Sequence, residues 1–216
     1  MPVGPLSLPA HLYLLAWDTS KSDVTGATQI PPQLVRAGAL TELAQRGLLL
    51  DDDGIATPVD MDASTGDAVL DGLLELVRES RPHRWRSWVT LHTRITLDAV
   101  REQLAAGGWL RARKRRALGL FPTVEYDLAH PAAVEALQEE ARAILRGPVL
   151  AVDLSDRDAA VVALAAAAGL RTLLPRKESH GTRVEELIER SGQAAPALRK
   201  VVQELRGAVT EASTGA

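Results

Sequence analysis

The sequence predicts a mainly α fold: a helical bundle core with peripheral helices and a protruding β-hairpin, in a single domain. Apolar residues recur at three- and four-residue spacing through most of the chain, the period of helices with one buried face. The run Ala159–Leu170 is too short to cross a bilayer and too apolar for a surface, so it reads as a helix in the centre of the core. Only two segments, near 48–59 and 117–128, alternate about turn residues as hairpins do.

Taken in order, Leu8–Ala16 reads as a short apolar helix and Trp17–Ala27 as a polar loop or a weak hairpin. Pro31 and Pro32 open a helix to Arg46, because proline is tolerated in a first turn, and Gly47 closes it. Leu48–Leu50, Asp51-Asp52-Asp53-Gly54 and Ile55–Val59 form a small hairpin with an Asp-Gly turn. The three aspartates lack the alternating spacing and closing glutamate of a calcium loop, so they read as a turn. Asp67 to about Glu79 is a helix whose stripe is Val69, Leu70, Leu73, Leu74 and Val77. Asp67 and Asp71 lie in its first turns, where the helix dipole favours negative charge. Trp85–His92 follows as a helix with Trp88 in the core, then Ile95–Ala106 with Leu97, Val100 and Leu104 on one side and Gly107-Gly108 at its end. A hairpin at Ala117–Leu128 is expected to turn about Pro122-Thr123, with Leu118, Leu120 and Phe121 near its tip. Pro131 starts a helix to about Arg146. Ser155, three residues before Asp158, caps the apolar helix that ends near Gly169. Helices at about Thr182–Arg190 and Ala194–Ala208 finish a domain spanning 7–207, with 1–6 and 208–216 as flexible ends.

The net charge of -3 conceals a segregation. Residues 1–77 hold 3 basic and 11 acidic side chains, and residues 78–116 hold 11 basic and 3 acidic. A basic face of this kind suits a phosphate-bearing partner, although a basic stretch paired with acidic neighbours would give the same count. With no cysteine, thiol catalysis, thiolate zinc sites and disulfides are excluded. Met1 to Pro9 lacks the basic and apolar regions of a signal peptide, so a cytoplasmic location is expected. No GxSxG, glycine-rich phosphate loop or HExxH occurs, and His11, His83, His92, His130 and His180 form no pair at helix-face spacing. No enzymatic role, metal or cofactor is expected.

Two features point to anion binding. Arg36 is the lone charge in the first two turns of an apolar helix, which a snorkelling or salt-bridged arginine would also explain. Arg94 and Arg101 lie seven residues apart, with Asp98 one turn from each, so a local ion ladder competes with a phosphate cradle.

The stretches Arg36–Gly47 and Asp62–Asp71, the helix closing on Gly108-Trp109-Leu110, the hairpin Ala117–Leu128 and the apolar helix from Arg157 to Leu173 together resemble the Golgi phosphoprotein 3 family, in order, from about Leu8 to Arg206. The alanine- and arginine-rich composition looks like a bacterial member. The resemblance implies the helical bundle with its protruding hairpin. In eukaryotic members it implies a peripheral membrane protein that reads phosphatidylinositol 4-phosphate and acts as a sorting adaptor for client proteins. There the hairpin mediates self-association and touches the bilayer. The family's first headgroup arginine falls on Arg36 and the first of its helical pair on Arg94. The second falls on Leu97, a departure, unless a gap places it on Arg101. The headgroup tryptophan falls near Ala27, another departure.

The expected function is therefore peripheral binding to anionic phospholipid headgroups through Arg36, Arg94 and Arg101. Arg113, Lys114, Arg115 and Arg116 would supply attraction, and Leu118, Leu120 and Phe121 would insert or pair subunits of a homo-oligomer. The alternatives are a nucleic-acid-binding protein using the 95–106 helix and the basic hairpin as a winged helix would, or a protein–protein interaction module.

Overall fold

The computed structural model describes residues 5–20, 30–117, 121–147, 149–174, 181–194 and 197–214, with the backbone alone at 115–117, 121–123, 193–194, 198 and 211–214. The described residues form nine helices and two antiparallel hairpins. In chain order these are α1 (Leu8–Leu15), α2 (Pro32–Gln45), β1 (Leu49–Asp52), β2 (Ile55–Pro58), α3 (Ala68–Glu79), α4 (Trp85–Thr90) and α5 (Thr93–Ala106). Then follow β3 (Leu110–Ala117), β4 (Phe121–Leu128), α6 (Pro131–Arg146), α7 (Asp156–Ala167), α8 (Gly181–Ala194) and α9 (Ala197–Thr214), with a 3₁₀ turn at Ala151–Asp153 before α7. None of the helices is long and apolar enough to cross a membrane.

The expected central helix, α7, is in place: Ala159–Ala165 are all at most 1 % exposed. It shares the centre with α2, where every residue from Leu34 to Ala44 is buried, including Arg36, Thr41 and Glu42. A helix covered on all sides has no amphipathic stripe. α1, α3, α4, α5, α7 and α9 all pack on α2. The α1 crossing is the closest. A Cβ added to Gly38 would lie 2.6 Å from Leu12 Cδ1 and 3.1 Å from the Pro9 Cα, so glycine is what lets the two backbones meet.

Local chemistry sets the helix ends. Gly47, at φ 70°, closes α2: its N–H donates to Ala44 O, and the Leu48 N–H donates to Leu43 O. Asp67 is the N-cap of α3 and accepts from the Val69 and Leu70 N–H groups, while Asp71 accepts from Thr65 and Ser64. These carboxylates hold the helix start, as their position in the sequence indicates. Asp51 organises the first hairpin turn by accepting from the Gly54 N–H, and it also accepts from Trp85 Nε1 and Lys200 Nζ, which ties the turn to α4 and α9. Ser155 caps α7 as expected, accepting from the Asp158 N–H.

Some boundaries differ from the sequence reading. α5 begins at Thr93, two residues early, after a left-handed His92 (φ 51°). α9 continues to Thr214, through residues assigned to a frayed end, and Leu6 packs against the core just before α1. The second hairpin is longer than expected and turns elsewhere. Ala117 pairs with Phe121 and Arg116 with Pro122, so Pro122 and Thr123 stand within β4 and form no turn. A two-stranded ribbon tolerates this, because each strand has an unpaired edge where a missing N–H costs little. The basic run Arg111–Arg116 lies within the strand β3.

Candidate functional site

Two of the three expected headgroup arginines, Arg36 and Arg94, bear on the corner between α4 and α5. Arg36, in the second turn of α2, is 1 % exposed and reaches across to this corner. Its Nε donates to Thr96 Oγ1 at 2.7 Å, its Nη2 to His92 O at 2.9 Å and its Nη1 to Trp88 O at 3.5 Å. Trp88 lies at the end of α4, where free carbonyls carry the negative end of the helix dipole. One guanidinium thus staples α2 to the end of α4 and the start of α5. It neither snorkels nor pairs with a carboxylate. Burial lowers its pKa to about 10, which still leaves it charged at neutral pH. The result is a buried cation held by neutral oxygens.

Arg94 occupies the first turn of α5, between His92 and Thr96, the two residues that Arg36 grips. It is exposed, and no hydrogen bond or ion pair joins it to another described residue. The first N–H groups of any helix lack intrahelical acceptors, and the dipole makes that end positive. Asp98 pairs with Arg101 at 3.0 Å, so the ladder inferred from spacing exists on one side only. Arg101 is otherwise engaged: its Nε donates to Tyr13 Oη at 3.4 Å, and its guanidinium lies 5.9 Å from the Tyr13 ring and 6.0 Å from that of Tyr126. It knits α5 to α1 and the hairpin base. Leu97, at the other family headgroup position, is core, at 5 % exposed.

The hairpin divides by strand alternation. Arg111 and Arg113 stand opposite Asp127 and Glu125, and Arg113 Nε lies 2.5 Å from Asp127 Oδ2. The alternate positions pair Leu110 with Leu128, Ala112 with Tyr126 and Lys114 with Val124. Here burial falls from Leu110 at the base to Val124, which is 50 % exposed. Arg111, Ala112, Arg113 and Lys114 are all exposed, so the ribbon stands away from the core. Of the remaining expected hairpin residues, Arg115 and Arg116 lie in β3 and Phe121 in β4, while Leu118 and Leu120 lie outside the described residues, as does Ala27.

Reading by motif missed the immediate partners of Arg36, which are Thr96 and the carbonyls of Trp88 and His92. It also missed Leu91 and Ile95, exposed at 41 % and 62 % on either side of Arg94. Ile95 was detectable, since it falls off the buried stripe of α5. The stretch Arg36–Gly47 also serves architecture: buried Glu42 accepts from the Leu8 N–H at 2.6 Å and pairs with Arg46 at 2.5 Å and Arg157 at 3.5 Å. Among the described residues, no three His, Asp or Glu side chains gather as metal ligands would.

A family model described as Golgi phosphoprotein 3 matches residues 8–205. No curated protein gives a match.

Proposed function

Because the chain belongs to the Golgi phosphoprotein 3 family over residues 8–205, we propose that it is a non-catalytic, peripheral membrane-binding protein that takes a phosphorylated lipid headgroup at the α4–α5 corner. A phosphatidylinositol 4-phosphate-like headgroup is the ligand the family suggests. The observation that carries this reading is the buried Arg36 cation, which has no carboxylate partner among the described residues and grips His92 and Thr96, the residues that bracket exposed Arg94 in the chain. Carbonyl and hydroxyl acceptors hold a guanidinium in place without cancelling its charge, so its field stays available to an anion. Arg94 adds an exposed cation in the first turn of α5, and the α5 N-terminus adds a fixed partial charge. Each basic side chain close to an anionic bilayer contributes about 1 kcal/mol. Exposed Arg111 and Lys114 of the hairpin extend that attraction beyond the headgroup itself.

The nucleic-acid alternative has less support. The exposed side of α5 carries Asp98 and Glu102, which would face a phosphate backbone unfavourably if α5 served as a recognition helix.

Flotation with phosphatidylcholine vesicles containing phosphatidylinositol 4-phosphate or phosphatidylserine tests the proposal. Arg94→Ala is expected to lower the affinity about fivefold, and Arg94→Glu to lower it further. Thr96→Asp would place a carboxylate on the Arg36 Nε, so it should weaken headgroup binding while circular dichroism stays native. Unchanged flotation of both Arg94→Glu and Thr96→Asp would remove the α4–α5 corner from consideration.

A further inference from the structure

We infer that the α4–α5 corner also enters the membrane, with Leu91 and Ile95 as a pair of apolar wedges on either side of the headgroup cation; this rests on the headgroup reading above. Leu91 is the C-cap of α4 and Ile95 stands in the first turn of α5, so the two flank Arg94 along the chain where the helices meet. Leu91 is 41 % exposed and Ile95 62 % exposed. Neither belongs to the buried stripe of α5, which runs through Thr93, Thr96, Leu97, Val100 and Leu104. Isolated exposed apolar residues need no explanation in general. These two stand beside an unpaired arginine, a positive helix end and a buried, uncompensated cation. That combination matches an anionic bilayer, where charge lies at the surface and hydrocarbon immediately below.

A soluble protein partner would be expected to answer the cation with a carboxylate and cover both side chains from one direction. A lipid surface meets both demands without a shaped complement. Insertion of both side chains, each burying apolar area that the fold leaves in water, should strengthen vesicle binding by about tenfold or more. The free headgroup would gain nothing from them. Here the wedge and the cradle part company experimentally.

The sequence contains no cysteine, so Ile95→Cys accepts a single environment-sensitive fluorophore at the proposed wedge. Glu135→Cys, exposed on α6, serves as the control position. With phosphatidylcholine–phosphatidylinositol 4-phosphate vesicles, the dye at 95 is expected to shift to the blue and the dye at 135 to stay unchanged. The double variant Leu91→Ser/Ile95→Ser should lose about tenfold in vesicle affinity, yet bind soluble inositol 1,4-bisphosphate as the unmodified protein does. An unshifted dye at 95 on bound protein, or full vesicle affinity in a double variant whose thermal midpoint is unchanged, overturns the insertion and leaves the headgroup reading standing. If the unmodified protein binds neither vesicles nor inositol 1,4-bisphosphate, both readings fall together.

Discussion

Arg36 shows how one side chain can serve packing and charge at once. Its three acceptors are neutral, so the fold carries a formal positive charge near its centre that internal pairing does not cancel. His11, on α1, presents the opposite case. Burial drives its pKa down to about 4, with Arg157 adding to the shift and Asp158 opposing it, so the folded protein holds it neutral. Its Nε2 is buried without a hydrogen-bond partner. The folded pKa lies below the unfolded value of 6.5, so the unfolded chain takes up the proton first as pH falls. The stability held by the neutral imidazole is complete above pH 6.5 and is lost on acidification towards pH 4, with a span of roughly 3 kcal/mol. Urea unfolding of the protein and of His11→Gln across this range is the check. The stability of the protein relative to the variant should rise by roughly 3 kcal/mol from pH 4 to pH 7, and parallel curves would mean that His11 is already hydrated in the fold.

At the scale of elements, the α1–α2 crossing depends on a missing side chain. Gly38→Ala would gain up to about 1 kcal/mol in helix propensity. It would also force a methyl into Leu12 and the Pro9 backbone, both buried, and overpacking of this kind costs about 1–3 kcal/mol. A net loss is expected, read as a lower urea midpoint; a gain would show that α1 can slide away. Most helices were legible because their cues are local. The stripe of α3, the Ser155 cap and the apolar length of α7 all appear in sequence and in place. The turn of the second hairpin was misplaced because Pro122 signals a turn, yet a two-stranded ribbon has free edges that accept it. The centrality of α2 was hidden, since a helix buried all round has no periodicity to read. Arg36 could be singled out as an oddity, but its partners could not. Two of them are main-chain carbonyls more than fifty residues away, and every residue type carries the same carbonyl.

Across the whole molecule, the charge segregation of the sequence survives folding. The acidic first third uses some of its carboxylates internally, Glu42 with Arg46 and Arg157, Asp51 with Lys200, and Asp67 and Asp71 at the start of α3, and exposes Asp52, Asp53, Asp60, Asp62 and Glu75. The basic stretch 78–116 leaves Arg81, Arg84, Arg94, Arg111 and Lys114 exposed. A surface of this kind attracts anionic membranes over a screening length of about 10 Å at 0.1 M salt and about 3 Å at 1 M. Vesicle binding should therefore fall steeply with added salt, and the Arg111→Glu/Lys114→Glu variant should start weaker and fall less. Salt-independent flotation would assign the attachment to apolar contact alone.

The contact between α2 and α9 bears on how the chain is made. α2 leaves the ribosome about 150 residues ahead of α9, which covers part of it. At roughly 5–20 residues per second, that delay is on the order of ten to thirty seconds. Throughout it, a helix that the finished fold buries from Leu34 to Ala44 has no complete sheath. A nascent chain stalled before α9 thus exposes apolar surface that the complete fold hides.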